Sequence, residues 1–318
     1  MKINNKTVTE SFINSLITLA RSDKNFVVLD ADLSDDLNLK RFSDKFPNRF
    51  IQNGIAEQDM VSMAGGIARM GLLPVVNSFA SFLTARGNEQ IYNNSTEQTK
   101  IIYLSLYAGA IPAGAGKSHQ SLRDISLLSN IPNIRIFHPY DEKETNQILR
   151  HCLSKKEKNN CAIRLSIGPI YNTQPKILSN YKFRNGKGNQ IVKGKHAIIF
   201  TYGQTMINEA FKACKILEKK NFKLEIINMS CLNYFDKQWI RKKIKNFKNI
   251  FILDDHNVSG GMGDLMISYL ADNKMILKKN FNKLGFKDFP ACGTHYEVLK
   301  FHELDCNSLA RKILKVIK

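Results

Sequence analysis

The sequence predicts an α/β protein of two doubly wound units, and three observations predict it. Short apolar, β-branched runs alternate with helical patterns, a stretch rich in Pro, Gly and Asn interrupts them, and a second alternating series follows. The first series is Phe26-Val-Val-Leu-Asp, Leu73-Pro-Val-Val-Asn, Ile101-Ile-Tyr-Leu-Ser-Leu, Ile134-Arg-Ile-Phe and Ala162-Ile-Arg-Leu. Strands that are apolar throughout and separated by helices imply a parallel sheet covered on both faces. The interruption carries Pro169, Pro175 and Arg184-Asn-Gly-Lys-Gly-Asn and is expected to link the units. The second series runs through Ala197-Ile-Ile-Phe-Thr, a helix over 205–219, Leu224-Glu-Ile-Ile-Asn, a helix over 237–246 and Asn249-Ile-Phe-Ile-Leu-Asp. The expected division is therefore 1–168, a linker over 169–193, and 194–318.

The 318 residues, 43% hydrophobic and 24% charged with 8 prolines, describe a folded chain without low-complexity tracts or repeats. No window approaches the roughly 18 apolar residues of a membrane span, and Met1-Lys-Ile-Asn-Asn-Lys-Thr-Val-Thr lacks a signal-peptide core. A cytoplasmic protein with no membrane partner is expected. Cys152, Cys161, Cys214, Cys231, Cys292 and Cys306 form no Cys-x-x-Cys pair, so they read as reduced core thiols and no protein-held metal is expected. The net charge of +19 admits nucleic acid, an acidic membrane surface, a polyanionic ligand or an acidic partner subunit. The lysines are spread along the chain, and dense stretches such as Asp236-Lys-Gln-Trp-Ile-Arg-Lys-Lys-Ile-Lys fit a solvated helix face, so no nucleic-acid partner is assigned.

The richest segment is Asn53-Gly-Ile-Ala-Glu-Gln-Asp-Met-Val-Ser-Met-Ala-Gly-Gly-Ile-Ala-Arg-Met-Gly. Its small residues suit a closely packed helix with Glu57 at the start, where the helix dipole favours an ionised carboxylate and burial favours a protonated one. Taken alone, Glu57 reads as a first-turn residue that merely complements the dipole. Phe79 and Phe82, three apart on an expected helix, read alone as core. Ile111-Pro-Ala-Gly-Ala-Gly-Lys-Ser nearly matches a nucleotide-binding P-loop, with Phe251-Ile-Leu-Asp-Asp as its magnesium strand. The first glycine of that motif is replaced by Ile111, which removes the turn whose amides cradle phosphate.

Several motifs in order settle the choice: Gly-Ile-Ala-Glu-Gln, then Ser78-Phe-Ala-Ser-Phe-Leu-Thr-Ala-Arg-Gly-Asn-Glu-Gln-Ile, Gly114-Ala-Gly-Lys-Ser-His-Gln, Ile131-Pro-Asn-Ile-Arg-Ile-Phe-His-Pro-Tyr-Asp and Asp254-Asp-His-Asn-Val-Ser-Gly-Gly-Met-Gly. With these the chain resembles the C-terminal half of transketolase and of 1-deoxy-xylulose-5-phosphate synthase over nearly its whole length. The resemblance implies a thiamine-diphosphate-binding fold, with a pyrimidine-binding domain followed by a transketolase C-terminal-like domain. It implies that Glu57 bonds the aminopyrimidine of thiamine diphosphate and promotes the tautomer that deprotonates the thiazolium carbon. It likewise implies cofactor contacts from Phe82, Phe79, Asp32 and Ile55, and a role for His119 in handling substrate hydroxyls and protons. The family's Gly-Asp-Gly segment for diphosphate and Mg²⁺ is missing from this sequence. A partner subunit carrying that N-terminal domain is therefore implied, in an α2β2 assembly by analogy.

The chain also departs from the family. Thr9 and Ile167 stand where arginines are usual, Asp36 where a serine contacts phosphate, Tyr107 where a histidine is found and Ala115 where an aspartate is. Losing a guanidinium removes a bidentate phosphate contact. The expected reaction is transfer of a two-carbon ketol unit on a sugar or sugar derivative lacking the usual terminal phosphate, with Lys117, Tyr107 and Asp36 as substrate contacts. Two alternatives stay open: the β subunit of a 2-oxo-acid dehydrogenase, which lacks the Ser-His-Gln loop, and a non-catalytic transketolase-like subunit.

Overall fold

A computed structural model describes residues 3–4, 8–166, 170–171, 175 and 181–317. Ile167 lies outside them. The first part of the chain runs β1 (Ile3–Asn4), α1 (Val8–Ser22), β2 (Phe26–Asp30), α2 (Lys40–Ser43), β3 (Phe50–Gln52), α3 (Glu57–Arg69), β4 (Leu73–Phe79), α4 (Ala80–Arg86) and α5 (Asn88–Thr96). It continues through β5 (Ile102–Leu106), α6 (Asp124–Ser129), β6 (Ile134–Phe137), α7 (Glu142–Leu153), β7 (Asn160–Leu165) and β8 (Ile170–Tyr171). The second part is β9 (Asn189–Val192), β10 (Ala197–Thr201), α8 (Gln204–Glu218), β11 (Leu224–Asn228), α9 (Lys237–Ile244), β12 (Asn249–Asn257), α10 (Met262–Asp272), β13 (Asn280–Phe286), α11 (His295–Phe301) and α12 (Cys306–Ile317).

The first sheet has the order β3-β2-β4-β5-β7-β6 with every pairing parallel. Alternate residues of its strands enter opposite cores: Val27, Leu29 and Val76 pack on one side, Phe26, Val28 and Val75 on the other. That is the doubly covered sheet the apolar runs predict. The second sheet, β13-β12-β10-β11-β9, is parallel apart from its edge strand β9. Ile198 and Phe200 of β10 join the core that contains Val76, whereas Ala197 and Ile199 face α8 and α12.

Several expectations need correction. The segment 169–193 is not linker throughout, because Asn189–Val192 pairs with β11. Phe79 is not helical: it ends β4 and caps α4, and only Phe82 lies on the helix. The P-loop reading fails on geometry, since Lys117 sits among turns and the next helix opens at Asp124. All six cysteines are free, yet Cys292 is exposed and Cys306 partly so, which leaves four as core thiols. No helix among the described residues is long and apolar enough to cross a membrane.

The two units meet through buried polar contacts. Arg164, with no exposed surface, donates to Asp124 through Nε at 2.6 Å and Nη2 at 3.1 Å, and its Nη2 also reaches the Asp255 carbonyl at 3.1 Å. Its Nη1 lies 3.1 Å from His138 Nδ1. A guanidinium only donates, so Nδ1 accepts and the His138 proton sits on Nε2, 3.1 Å from Ser166 Oγ. Burial, with Arg164 beside it, keeps this imidazole neutral far below its ordinary range. Nearby, Glu144 accepts from Asn228 Nδ2 at 2.9 and 3.1 Å, Tyr181 Oη at 2.7 Å and the Tyr140 amide at 2.8 Å. Burial pushes its carboxyl up to about 7.

Candidate active site

In an open parallel sheet, ligands bind beyond the carboxyl ends of the strands where the strand order reverses. Here the chain runs from β2 outward to β3 and returns to β4, so the reversal lies between β2 and β4. Asp30 ends β2, Gln52 ends β3, Phe79 ends β4, and Tyr107 follows β5. An open groove of about 850 Å³, lined by Asn25, Leu73, Lys100 and Glu157, lies at the opposite, amino ends of the strands, away from these residues.

Glu57 opens α3 and is only 3% exposed. Ser78 Oγ donates to its Oε1 at 3.1 Å, and Arg86 Nη1 lies 3.2 Å from both carboxylate oxygens. The same guanidinium sits over Phe82, 4.0 Å from the ring centroid. Arg86 is 48% exposed on its side chain, so Glu57 has a buried body and a partner that reaches solvent. The arrangement holds a flat, N–H-donating cation with one face on an aromatic ring and one edge on a carboxylate. An aminopyrimidine presents the same combination, so Glu57 and Phe82 fit that group.

The aromatic wall extends around this point. Phe79, 6% exposed, stacks on Tyr107 with centroids 4.3 Å apart and planes 11° apart. His119 meets both Phe79 and Phe82 edge-on at 5.5 and 5.2 Å. Its Nδ1 is 3.0 Å from Ser118 Oγ. Tyr107 adopts φ of 54°, a left-handed conformation that costs a bulky residue about 1 kcal/mol or more. Its hydroxyl donates to Asp36 Oδ1 at 3.0 Å, and burial together with that carboxylate pushes the phenol up to about 12. Tyr107 is therefore a proton-bearing donor at neutral pH.

Of the remaining expected residues, Asp36 is bonded to this cluster through Tyr107, whereas Asp32, Ile55 and Lys117 make no hydrogen bond or ring contact with it among the described residues. Asp32 is exposed, and its amide donates to Gln52 Oε1 at 2.9 Å. The buried acid on that loop is Asp30, which accepts from the Leu33 amide, Ser34, Gln52 and Asn77 at 2.6–2.9 Å. Asp36 and Lys117 are exposed, and Ile55 is 74% exposed. Sequence reasoning missed Arg86, Ser78 and Asp30 as site residues. The signal was present for Asp30, a carboxylate closing an apolar strand, and for Arg86, one turn beyond Phe82. Among the described residues no group of three or more His, Cys, Asp or Glu side chains is placed to hold a metal ion.

Comparison with known proteins agrees with this geometry. Residues 4–168 match the family model for the transketolase pyrimidine binding domain, and residues 186–309 that for the transketolase C-terminal domain. A protein of Methanocaldococcus jannaschii, provisionally named a transketolase C-terminal section, is 31% identical over 98% of this chain and 97% of its own length. One of the subunits of the apulose-4-phosphate transketolase of Phocaeicola vulgatus is 26% identical over 97% of both chains. The 1-deoxy-D-xylulose-5-phosphate synthase of Clostridium tetani is 30% identical over 98% of this chain, which spans 49% of that enzyme. Among solved structures, a split-gene transketolase described as an inactive β4 tetramer superposes with a TM-score of 0.86 at 26% identity, covering 98% of each chain.

Proposed function

The chain belongs to the transketolase family, and on that premise we propose that it is the pyrimidine-side subunit of a split, thiamine-diphosphate-dependent enzyme that transfers a two-carbon ketol unit. The observation that carries this reading is that the flat Arg86 cation lies over the face of Phe82 and meets the buried Glu57 carboxylate with its edge. In this reading residues 1–168 form the pyrimidine-binding unit, and the C-terminal unit begins at β9.

The bound cofactor supplies a nucleophilic thiazolium carbon. Glu57 exchanges a proton with the pyrimidine nitrogen at its buried carboxylate, which Ser78 orients. In this reading Phe82 and Phe79 bind the ring and exclude water, and the exposed Ile55 and Asp32 are further cofactor contacts. His119, packed edge-on against both phenylalanines, moves protons to and from substrate hydroxyls. In this reading the diphosphate and Mg²⁺ are held mainly by a partner carrying the diphosphate-binding domain. The names of two relatives, one a transketolase subunit and the other a split-gene transketolase, support a two-chain enzyme, with α2β2 stoichiometry as the symmetric expectation.

For the substrate, Asp36 and Tyr107 are joined at 3.0 Å beside the aromatic wall. A carboxylate at this point repels a phosphate, which supports a sugar or sugar derivative without the terminal phosphate in its usual place, with Lys117 as the nearest replacement cation in the loop. The P. vulgatus relative is named for a specialised sugar, apulose 4-phosphate, which supports a modified substrate in general. The test is exchange of the thiazolium C2 proton by the reconstituted pair, wild type against Glu57→Gln. Loss of exchange in the mutant is expected, and equal exchange would remove Glu57 from the chemistry. Ordinary turnover of xylulose 5-phosphate would overturn the substrate reading.

A further inference from the structure

The loop that carries Tyr107 and His119 is gripped at its neck by the other unit of the chain, and we propose that Asp255 is the positioning residue that holds His119 against Phe79 and Phe82. This rests on the function proposed above. Both arms of the neck are attached. On the outgoing arm the Ala110 amide donates to Asp255 Oδ1 at 3.0 Å. Gly109, with φ of +90°, passes so close that a Cβ there would lie 2.1 Å from Asp255 Oδ2. On the returning arm Gln120 Nε2 donates to the Ala110 carbonyl at 2.8 Å and to the Ala291 carbonyl at 3.0 Å, and the Asn257 amide donates to the Leu122 carbonyl at 3.0 Å. The arms are tied to each other by Gly109 and Ser121, which exchange backbone bonds at 3.0 and 2.8 Å.

Asp255 differs from its neighbour in what it serves. Asp254 accepts the Met262 and Gly263 amides and the Tyr202 hydroxyl, all from its own unit, and so caps α10. Among the hydrogen bonds of the described residues, the Asp255 carboxylate accepts one donor, the Ala110 amide, and that donor belongs to the His119 loop. The carboxylate also faces the Arg164 charge, so part of its role is to balance that cation, while its one hydrogen bond goes to the loop. Its effect is local: it closes the neck from outside, while Ser166, which donates to the Ala108 carbonyl at 3.1 Å, closes it from within. The second unit thereby sets where an active-site imidazole sits without touching substrate.

The test compares Asp255→Ala and Asp255→Asn with the wild type in three measurements. These are amide hydrogen exchange over residues 108–121 in the full chain, thiazolium C2-proton exchange in the reconstituted pair, and its steady-state turnover. Asp255→Ala is expected to speed amide exchange in the loop by about 10- to 100-fold and lower kcat to a similar degree, with C2-proton exchange unchanged because Glu57 is untouched. Asp255→Asn, whose side-chain oxygen can still accept from Ala110, is expected to restore both. Unchanged loop protection in Asp255→Ala would overturn the proposal, and so would parallel loss of turnover and C2-proton exchange. If Asp255→Ala does not fold, Gly109→Ala strains the same contact from the loop side and must give the same pattern. If the wild-type pair lacks C2-proton exchange, the proposed function fails, while loop protection still decides the role of Asp255.

Discussion

Two polar clusters of this chain are built to opposite plans. Around Arg164 the net is closed: the guanidinium is fully buried and bonded to Asp124, His138 and the Asp255 carbonyl, and His138 Nε2–H donates to Ser166 Oγ. Around Glu57 the net is open: its carboxylate is buried, but its partner Arg86 is half in solvent and Phe82 is only partly covered. A closed net fixes the relation of two units, because losing any member strands a buried charge. An open net keeps one side for something that arrives from outside. The difference separates what the chain needs to fold from what it needs to act.

Substitutions can break that separation. The largest effect is expected from Glu57→Gln, which should lower turnover of the assembled pair by about 10²- to 10⁴-fold, while the melting of the chain changes by less than about 1 kcal/mol. Arg164→Met should do the reverse. It leaves Asp124 buried and unpaired, at a cost of about 3–5 kcal/mol in urea denaturation. A stable Arg164→Met chain would show that the closed net is not what joins the units.

The pH dependence of stability sharpens the contrast further. Glu144 has a folded value of about 7 against an ordinary 4.5, so its proton is held better in the folded chain. Its contribution is full below about 4.5 and is lost as pH rises through about 7. Glu144→Gln should flatten stability against pH in that window, measured by denaturation at several pH values. The smallest effect is expected from Tyr107→Phe, which removes the bond to Asp36. Stability should stay within about 1 kcal/mol, and KM for the sugar should move more than kcat.

The parallel first sheet was legible because its strands are buried on both sides, and both faces of β2 and β4 are accordingly apolar. The edges were not. β3, with partly exposed residues, and β13, where Asn280, Asn282 and Lys283 surround Phe281, carry no continuous apolar signal, and β9 hides among the glycines of the expected linker. At the site, Phe82, Phe79, Tyr107 and His119 pack together, and Glu57 is tied to Phe82 through Arg86. Asp32 was the less informative aspartate of its pair, because the buried one, Asp30, is set by contacts with Gln52 and Asn77 far along the chain. Arg164 and Asp255 were invisible for the same reason: their meaning lies in partners far along the chain, Asp124, His138 and the Asp255 carbonyl for the one and the Ala110 amide for the other.

The absent side chain at Gly109 has a consequence for recombination. Because Asp255 fills the space where a Cβ would stand, the two units are mated like a key and its ward. A chimera that joins this first unit to a relative's second unit should work only when residues 109 and 255 are exchanged as a pair.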